Sequence, residues 1–159
     1  MKSHRTIPAL MFCLVLLGAA SFAGAAEVVQ SRGQVVYVPV YSHIYIGNNE
    51  RPYYLAATLS IRNTSFKDVL VLTSVEYLDS DGNLLKNYVE KPVTVKAMGS
   101  IRFVVKEADT AGGSGAKFIV RWNSGNPVSY PLIESVMIST THSQGISFTS
   151  RGQVVEELK

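Results

Sequence analysis

The chain has 159 residues, enough for one ordinary domain with a substantial apolar core. Its 15 Lys and Arg residues and 12 Asp and Glu residues give a formal charge of +3, and the basic residues form no cluster of the kind that nucleic acid binding requires. Cys13 is the only cysteine, which excludes a disulfide-rich scaffold. The composition therefore predicts a protein that folds around its apolar side chains and has no nucleic acid partner.

Residues 1–26 have the pattern of a secretory signal peptide. Lys2 and Arg5 precede an apolar run over residues 7–20, and residues 23–26 form a small-residue end of the Ala-x-Ala type. The apolar run is shorter than the roughly 20 residues that span a bilayer. An uncleaved membrane anchor is the alternative interpretation.

Cleavage after Ala25 or Ala26 fits this pattern best. It would remove Cys13, so that the mature chain has no thiol, and would leave 13 basic against 12 acidic residues. The mature domain, residues 27–159, is then expected to be periplasmic or secreted, with no membrane span after cleavage.

The mature chain alternates between apolar and polar residues with period two. This alternation is typical of half-buried strands, and clusters of Asn, Asp, Gly and Pro separate the alternating segments. We predict an all-β fold, a single immunoglobulin-like antiparallel β-sandwich of about seven to nine strands, with a small β-barrel as the alternative. The residues expected to be mostly buried are Val38, Leu59, Ile61, Val71, Val75, Phe103, Phe118, Val120, Trp122, Val136, Ile138 and Phe148.

The first predicted strand, residues 34–46, carries an aromatic stripe. If the strand is continuous, Tyr37, Tyr41, His43 and Tyr45 point to one face, because residues two apart share a face. A tyrosine ring has an apolar body and a polar tip, which suits sugar stacking and protein interfaces. We therefore predict a binding surface at these four residues.

Two neighbouring features bear on this surface. Pro39 donates no backbone hydrogen bond, which favours an edge strand where another chain can dock. Tyr53 and Tyr54 of the next strand would extend the aromatic stripe. The alternative is that a neighbouring segment covers this face and the tyrosines cap the core.

Three polar segments resemble ligand sites but are better explained as turns. Residues 79–83 begin like a calcium loop, yet the glycine comes too early and no bidentate Glu follows at the required spacing. Residues 112–115 lack the Lys and the following helix of a phosphate-binding loop. Residues 63–65 fit a glycosylation acceptor, but a polar turn is the simpler reading.

The inventory of catalytic and metal-binding side chains is small. His43 and His142 are the only histidines after cleavage, and neither lies in a spaced pair that zinc would need. We expect no metal and no cofactor. The alternatives are a hydrolase-like enzyme that pairs His43 or His142 with a carboxylate such as Asp79, Asp81 or Asp109, and a purely structural spacer.

One hexapeptide, SRGQVV, occurs twice, at residues 31–36 and 150–155. The two copies begin the first strand and end the last. Coincidence is one interpretation, because six residues are too short for a structural repeat. The other is that the first and last strands are parallel neighbours, with Val beside Val on the shared face.

Four segments together resemble a family of exported bacterial domains of unknown function. They are QVVYVPVYSHIY at 34–45, LSIRNT at 59–64, DTAGGSGAKFIVRW at 109–122 and GISFTSRG at 145–152. The resemblance covers nearly the whole mature chain and implies a bacterial envelope origin. It carries over no catalytic residue.

We therefore expect an exported, non-catalytic binding or interaction module of the bacterial cell envelope. Its aromatic first strand is the expected contact surface, and its expected partner is a protein or a glycan of the envelope. An exposed Tyr platform with polar neighbours would favour a glycan, whereas a flat apolar edge with unpaired backbone would favour a protein.

Overall fold

The computed structural model describes residues 28–139 and 145–158, and these residues form strands and no helix, which confirms the all-β prediction. The predicted leader at residues 1–26 lies outside the described residues. Within the described part of the chain, no helix is long and apolar enough to cross a membrane. The strands are β1 (Gln30–Pro39), β2 (His43–Ile46), β3 (Arg51–Tyr54), β4 (Ala56–Arg62), β5 (Leu70–Leu78), β6 (Leu84–Asn87), β7 (Val93–Val95), β8 (Ser100–Val105), β9 (Lys117–Ser129), β10 (Leu132–Ser139), β11 (Ile146–Arg151) and β12 (Gln153–Glu157).

Two antiparallel sheets form the body of the domain. The first has six strands in the order β12-β1-β9-β5-β6, with β7 also pairing with β5, and the second has the order β11-β10-β4-β8. A separate hairpin consists of β2 and β3. No sheet of the described residues closes into a barrel, so the β-sandwich is confirmed and the barrel alternative is wrong. The strands outnumber the expected seven to nine because short strands such as β6 and β7 share one edge of β5.

The core contains alternate residues of both main sheets, as the period-two pattern predicts. Phe103 and Phe148 are only partly buried, although both pack against the core. Trp122 is fully buried at the centre of β9, next to strands β1 and β5. The predicted core residues that are confirmed as buried are Val38, Leu59, Ile61, Val75, Phe118, Val120 and Trp122.

Val71 was predicted to face the core with Val75, and this is wrong because a bulge lies between them. Leu72 pairs with Trp122 and Ser74 with the preceding residue of β9, so one extra residue of β5 is inserted. Such an insertion shifts the alternation of the strand. Leu70 and Leu72 are therefore the buried residues before the bulge, and Val71 is half-buried.

The predicted inward face of β10 is also wrong. Val136 is half-buried and Ile138 is exposed, whereas Met137 and the serines at 135 and 139 are buried. Because both serines lie on it, the true inner face of β10 looks polar in the sequence. Ser135 donates a hydrogen bond to the Pro39 carbonyl and Ser139 donates one to Glu107 (3.1 Å), so burial leaves neither hydroxyl without a partner.

The first and last strands are neighbours, as expected, but they are antiparallel rather than parallel. Val36 of β1 pairs with Val154 of β12, so a Val does lie beside a Val. The expected edge position of β1 is wrong, because β12 pairs along one side of it and β9 along the other. Pro39, the last residue of β1, lies beyond the residues that pair with β12.

The orientation differs from the prediction because the second SRGQVV copy spans two strands. The chain ends β11 at Arg151, passes Gly152, and starts β12 in the other main sheet. At this crossing, the Gly152 N–H donates to the Ile133 carbonyl at 2.8 Å. A Cβ at Gly152 would lie 2.7 Å from Cγ1 of Val36, so the crossing has no room for a side chain.

Glu157 fastens the end of β12 to β1 and to the segment before β10. Its carboxylate accepts hydrogen bonds from Ser31 (2.6 Å), Gln34 (2.6 Å) and the Tyr130 hydroxyl (2.8 Å). Burial alone would raise the pKa of Glu157, but these three donors outweigh it and hold the pKa below its usual value. The same contact raises the pKa of Tyr130.

Candidate functional site

The predicted aromatic stripe does not lie on one continuous strand. β1 ends at Pro39 and β2 begins at His43, and the link between them contains the buried Ser42. The Ser42 hydroxyl hydrogen-bonds the Tyr77 hydroxyl (2.9 Å), and its backbone N–H donates to the Gly113 carbonyl (3.0 Å). These long-range contacts fix the link at the point where the chain leaves the six-stranded sheet and enters the hairpin.

Two of the four predicted binding residues belong to the body of the sandwich. Tyr37 is half-buried in β1, between β12 and β9. Tyr41 is half-buried in the link, where its ring packs edge-on against Phe148 with 5.6 Å between centroids. Tyr41 thus follows the alternative interpretation, in which the tyrosines of this segment cap the core.

The other two predicted residues form an aromatic cluster on the β2–β3 hairpin. His43 pairs directly with Tyr54, and Tyr45 pairs with Pro52, so all four share one face of the hairpin. The His43 ring contacts Tyr45 and Tyr54 edge-on, at centroid distances of 5.1 and 6.1 Å. Tyr45 is 55% exposed and Tyr54 is 44% exposed. These four residues define the aromatic face, in which Tyr45, Pro52 and Tyr54 are exposed and His43 is half-buried.

A groove of about 730 Å³ adjoins the aromatic face. Its lining includes Arg51 and Tyr54 of β3 and Glu107 and Thr110 from the segment after β8. The hydrogen bond from Ser139 holds the Glu107 carboxylate in place. The groove therefore combines an aromatic ring, a cation, a carboxylate and a hydroxyl, which is the mixture that small-molecule sites use for orientation and specificity.

Tyr54 was anticipated from the sequence as an extension of the stripe, whereas Glu107 and Thr110 were not predicted. They lie far from β3 in the chain, and the pairing of β4 with β8 brings their segment near the hairpin. No local sequence signal marks them as site residues.

The histidine–carboxylate pair of the enzyme alternative does not form among the described residues. Nδ1 of His43 is buried and has no hydrogen-bond partner there. His142 lies outside the described residues. Over residues 28–139 and 145–158, no group of three or more His, Cys, Asp or Glu side chains is arranged to hold a metal ion.

The calcium-like segment at residues 79–83 is a hairpin turn, as predicted. The Asp79 carboxylate accepts hydrogen bonds from the side chain and backbone of Asn83 (2.9 and 2.8 Å), and these hold its pKa below the usual value. The Lys117 ammonium donates to the carbonyls of Asp79 (2.6 Å) and Ser80 (3.1 Å). Asn83 and Lys117 thus satisfy the Asp79 carboxylate and the carbonyls of the turn from within the protein.

The glycine-rich segment at residues 112–115 is a packed loop. A Cβ at Gly112 would collide with the Tyr77 hydroxyl and with Ser42, and Gly115 donates its N–H to Ser80 (3.0 Å). Its small residues are therefore explained by close packing against the turn at residues 79–83 and against the link after β1.

Comparison with known proteins identifies the family. Residues 33–155 match the family described as protein of unknown function DUF3124. The chain belongs to this family. The expected membership in a family of unknown function is confirmed.

Curated proteins include no match to the chain. A crystal structure of Thermotoga maritima 1070 is similar at 12% sequence identity, with a TM-score of 0.46. The alignment covers 79% of this DUF3124 chain and 97% of that one. A similarity with so low a sequence identity and TM-score supports no conclusion about function.

Proposed function

We propose that this DUF3124 protein is an exported, non-catalytic module that binds a glycan of the bacterial cell envelope. The observation that carries the proposal is the aromatic face of the hairpin, with Tyr45 and Tyr54 both about half exposed beside a groove whose lining includes Arg51, Glu107 and Thr110. Export is supported by the signal-peptide pattern of residues 1–26.

The chemistry of the site suits a sugar better than a flat protein surface. A sugar ring has an apolar face that stacks on an aromatic ring, and hydroxyls that need donors and acceptors around its rim. Tyr45 and Tyr54 provide the rings. Arg51, Glu107 and Thr110 provide both donors and acceptors in the adjoining groove.

The test is binding of the purified domain, residues 27–159, to isolated peptidoglycan by co-sedimentation and to an array of soluble envelope polysaccharides. We expect binding to at least one of these glycans. Tyr45→Ser and Tyr54→Ser should each weaken it about 10-fold, because a central aromatic contact is typically worth more than 1 kcal/mol. The control is Leu84→Ser, which removes an exposed apolar residue of β6, outside the site.

Thermal melting of each variant separates lost binding from lost folding. Tyr37→Ser distinguishes the hairpin from the stripe predicted on β1, because only the stripe requires Tyr37 for binding. Unchanged glycan affinity in the Tyr45→Ser/Tyr54→Ser double variant would refute the site. Capture of a protein in place of any glycan would favour the protein-docking alternative.

A further inference from the structure

The loops at the far end of β4 from the hairpin expose large apolar side chains. Phe66 is 83% exposed, Met98 is 58% exposed, and Val69 is also exposed. We call these three residues the apolar tip. They lie on two adjacent loops, because the Met98 N–H donates to the Ser65 carbonyl at 3.0 Å.

Hydrogen bonds hold both loops in one conformation. The Asn63 side chain is buried and donates to the carbonyls of Asp68 (2.8 Å) and Lys96 (3.0 Å), so it ties the two loops together. The Asn63 oxygen accepts from the Ser65 N–H (2.9 Å), and the Ser65 hydroxyl accepts from the Asp68 N–H (3.0 Å). Phe66 is therefore presented outward by an ordered turn.

Met98 occupies a backbone conformation that favours glycine. Its φ is +56°, and it is the third residue of a turn closed by the Gly99 N–H on the Lys96 carbonyl (2.9 Å). A positive φ at this position is normally provided by Gly or Asn. A bulky residue kept there at an energetic cost, with its side chain in solvent, points to a role outside the fold.

Two lysines accompany the apolar tip. Lys67 follows Phe66, Lys96 lies two residues before Met98, and both are exposed. Neither ammonium has an ion-pair partner in the described part of the chain. The nearby Asp68 carboxylate is turned to Asn126, which donates to it at 2.8 Å.

We propose that the apolar tip docks the domain on an anionic lipid bilayer. Phe66, Val69 and Met98 enter the boundary between headgroups and acyl chains, and Lys67 and Lys96 contact the anionic headgroups. Apolar side chains flanked by lysines are the combination that binds peripheral proteins to such surfaces. The long lysine stems allow the ammonium groups to stay at headgroup level while the neighbouring residues insert.

The shape of the tip favours a bilayer over a protein partner. The tip exposes three apolar side chains on two loops, whereas a stable protein interface contains roughly 20–30 residues on each side. A fluid bilayer adapts to a few inserted side chains. This proposal is independent of glycan binding by the hairpin.

The test is co-sedimentation of residues 27–159 with vesicles of phosphatidylcholine alone or mixed with phosphatidylglycerol. We expect binding to the mixed vesicles that weakens with added salt, since headgroup attraction is screened. Phe66→Ser should weaken it about 10-fold through lost apolar burial. The double variant Lys67→Glu/Lys96→Glu should lose the preference for phosphatidylglycerol. The controls are Leu84→Ser, which removes an exposed apolar side chain, and Lys91→Glu, which reverses one exposed lysine charge, both away from the tip.

Met98→Gly separates docking from folding. Glycine relieves the positive φ, so the variant should melt at or above the wild-type temperature and yet bind mixed vesicles several-fold more weakly. Failure of the wild-type protein to bind phosphatidylglycerol vesicles would overturn the proposal. The proposal would also be overturned if Phe66→Ser and Met98→Gly both bound vesicles as strongly as the wild-type protein does. Capture of a protein through the tip without any vesicle binding would overturn it as well.

Discussion

The crossing between the two main sheets makes a sharp prediction about Gly152. Its added Cβ in Gly152→Ala would lie 2.7 Å from Cγ1 of Val36, 3.1 Å from the Ile133 carbonyl oxygen and 3.2 Å from Cγ2 of Val38. Carbon atoms in contact are normally about 3.5–4.0 Å apart. The Cβ is therefore about 0.8 Å too close to Val36, and the neighbours have little freedom to move.

The residues around Gly152 determine how much stability Gly152→Ala should lose. Val36 and Val38 are buried in the core, and Gly152 donates its N–H to the same Ile133 carbonyl at 2.8 Å. Moving Gly152 away would lengthen that hydrogen bond and shift β12 relative to β1. Overpacking of this kind costs about 1–3 kcal/mol. With a urea slope of about 2 kcal/mol/M, the unfolding midpoint should fall by about 0.5–1.5 M.

Urea denaturation followed by circular dichroism measures this shift, and Gly125→Ala is the matched control. Nothing lies within 4 Å of a Cβ at Gly125. Its substitution should leave the midpoint unchanged or raise the free energy of unfolding by up to about 1 kcal/mol, by restricting the unfolded chain. Equal midpoints for Gly152→Ala and wild type would mean that the chain does not pass between the two main sheets in the close packing described for Gly152.

Two further predictions concern the ends of the chain. Glu157→Gln should lower the free energy of unfolding at neutral pH. The folded-state pKa of Glu157 lies below its ordinary value, so its contribution is present above about pH 4.3 and is lost as the pH falls through the folded pKa. The stability difference from wild type, measured by urea titration at several pH values, should shrink in acid, and a difference constant with pH contradicts the proposed network. Exported protein should begin at Ala26 or Glu27 when sequenced from its N-terminus, and an exported form that still begins at Met1 would rule out the signal peptide.

Alternation along the sequence predicted the core correctly in β4 and in the first half of β9. In β4 and β9 the period-two pattern selects Leu59 and Trp122 correctly, because neither is separated from its neighbours by an insertion. The pattern fails at Val71, since the inserted residue of β5 has no apolar or turn signature. It also fails at Ile138, because hydroxyl groups that find buried partners look the same in a sequence as hydroxyl groups in water.

The turns could be predicted from the sequence, whereas the aromatic site on the hairpin could be predicted only in part. Asp-Gly at residues 81–82 and the polar segment at 63–65 carry local chemistry that specifies a turn without help from the rest of the chain. The aromatic stripe looked continuous because alternation persists through residues 40–42. Its interruption depends on the contacts of Ser42 with Tyr77 and Gly113, which come from distant parts of the sequence.

The position of β4 determines how the two proposed surfaces relate to each other. β4 directly follows the hairpin strand β3 and directly precedes the loop that carries Phe66. It has seven residues, and a strand rises about 3.3 Å per residue, so the two surfaces are separated by about 20 Å along the strand. A domain docked through its apolar tip would thus hold the aromatic face away from the lipid and toward the space beyond it. Glycan binding and vesicle binding should then occur at the same time without competition. Mutual exclusion of glycan and vesicles would place both ligands on one surface and contradict this arrangement.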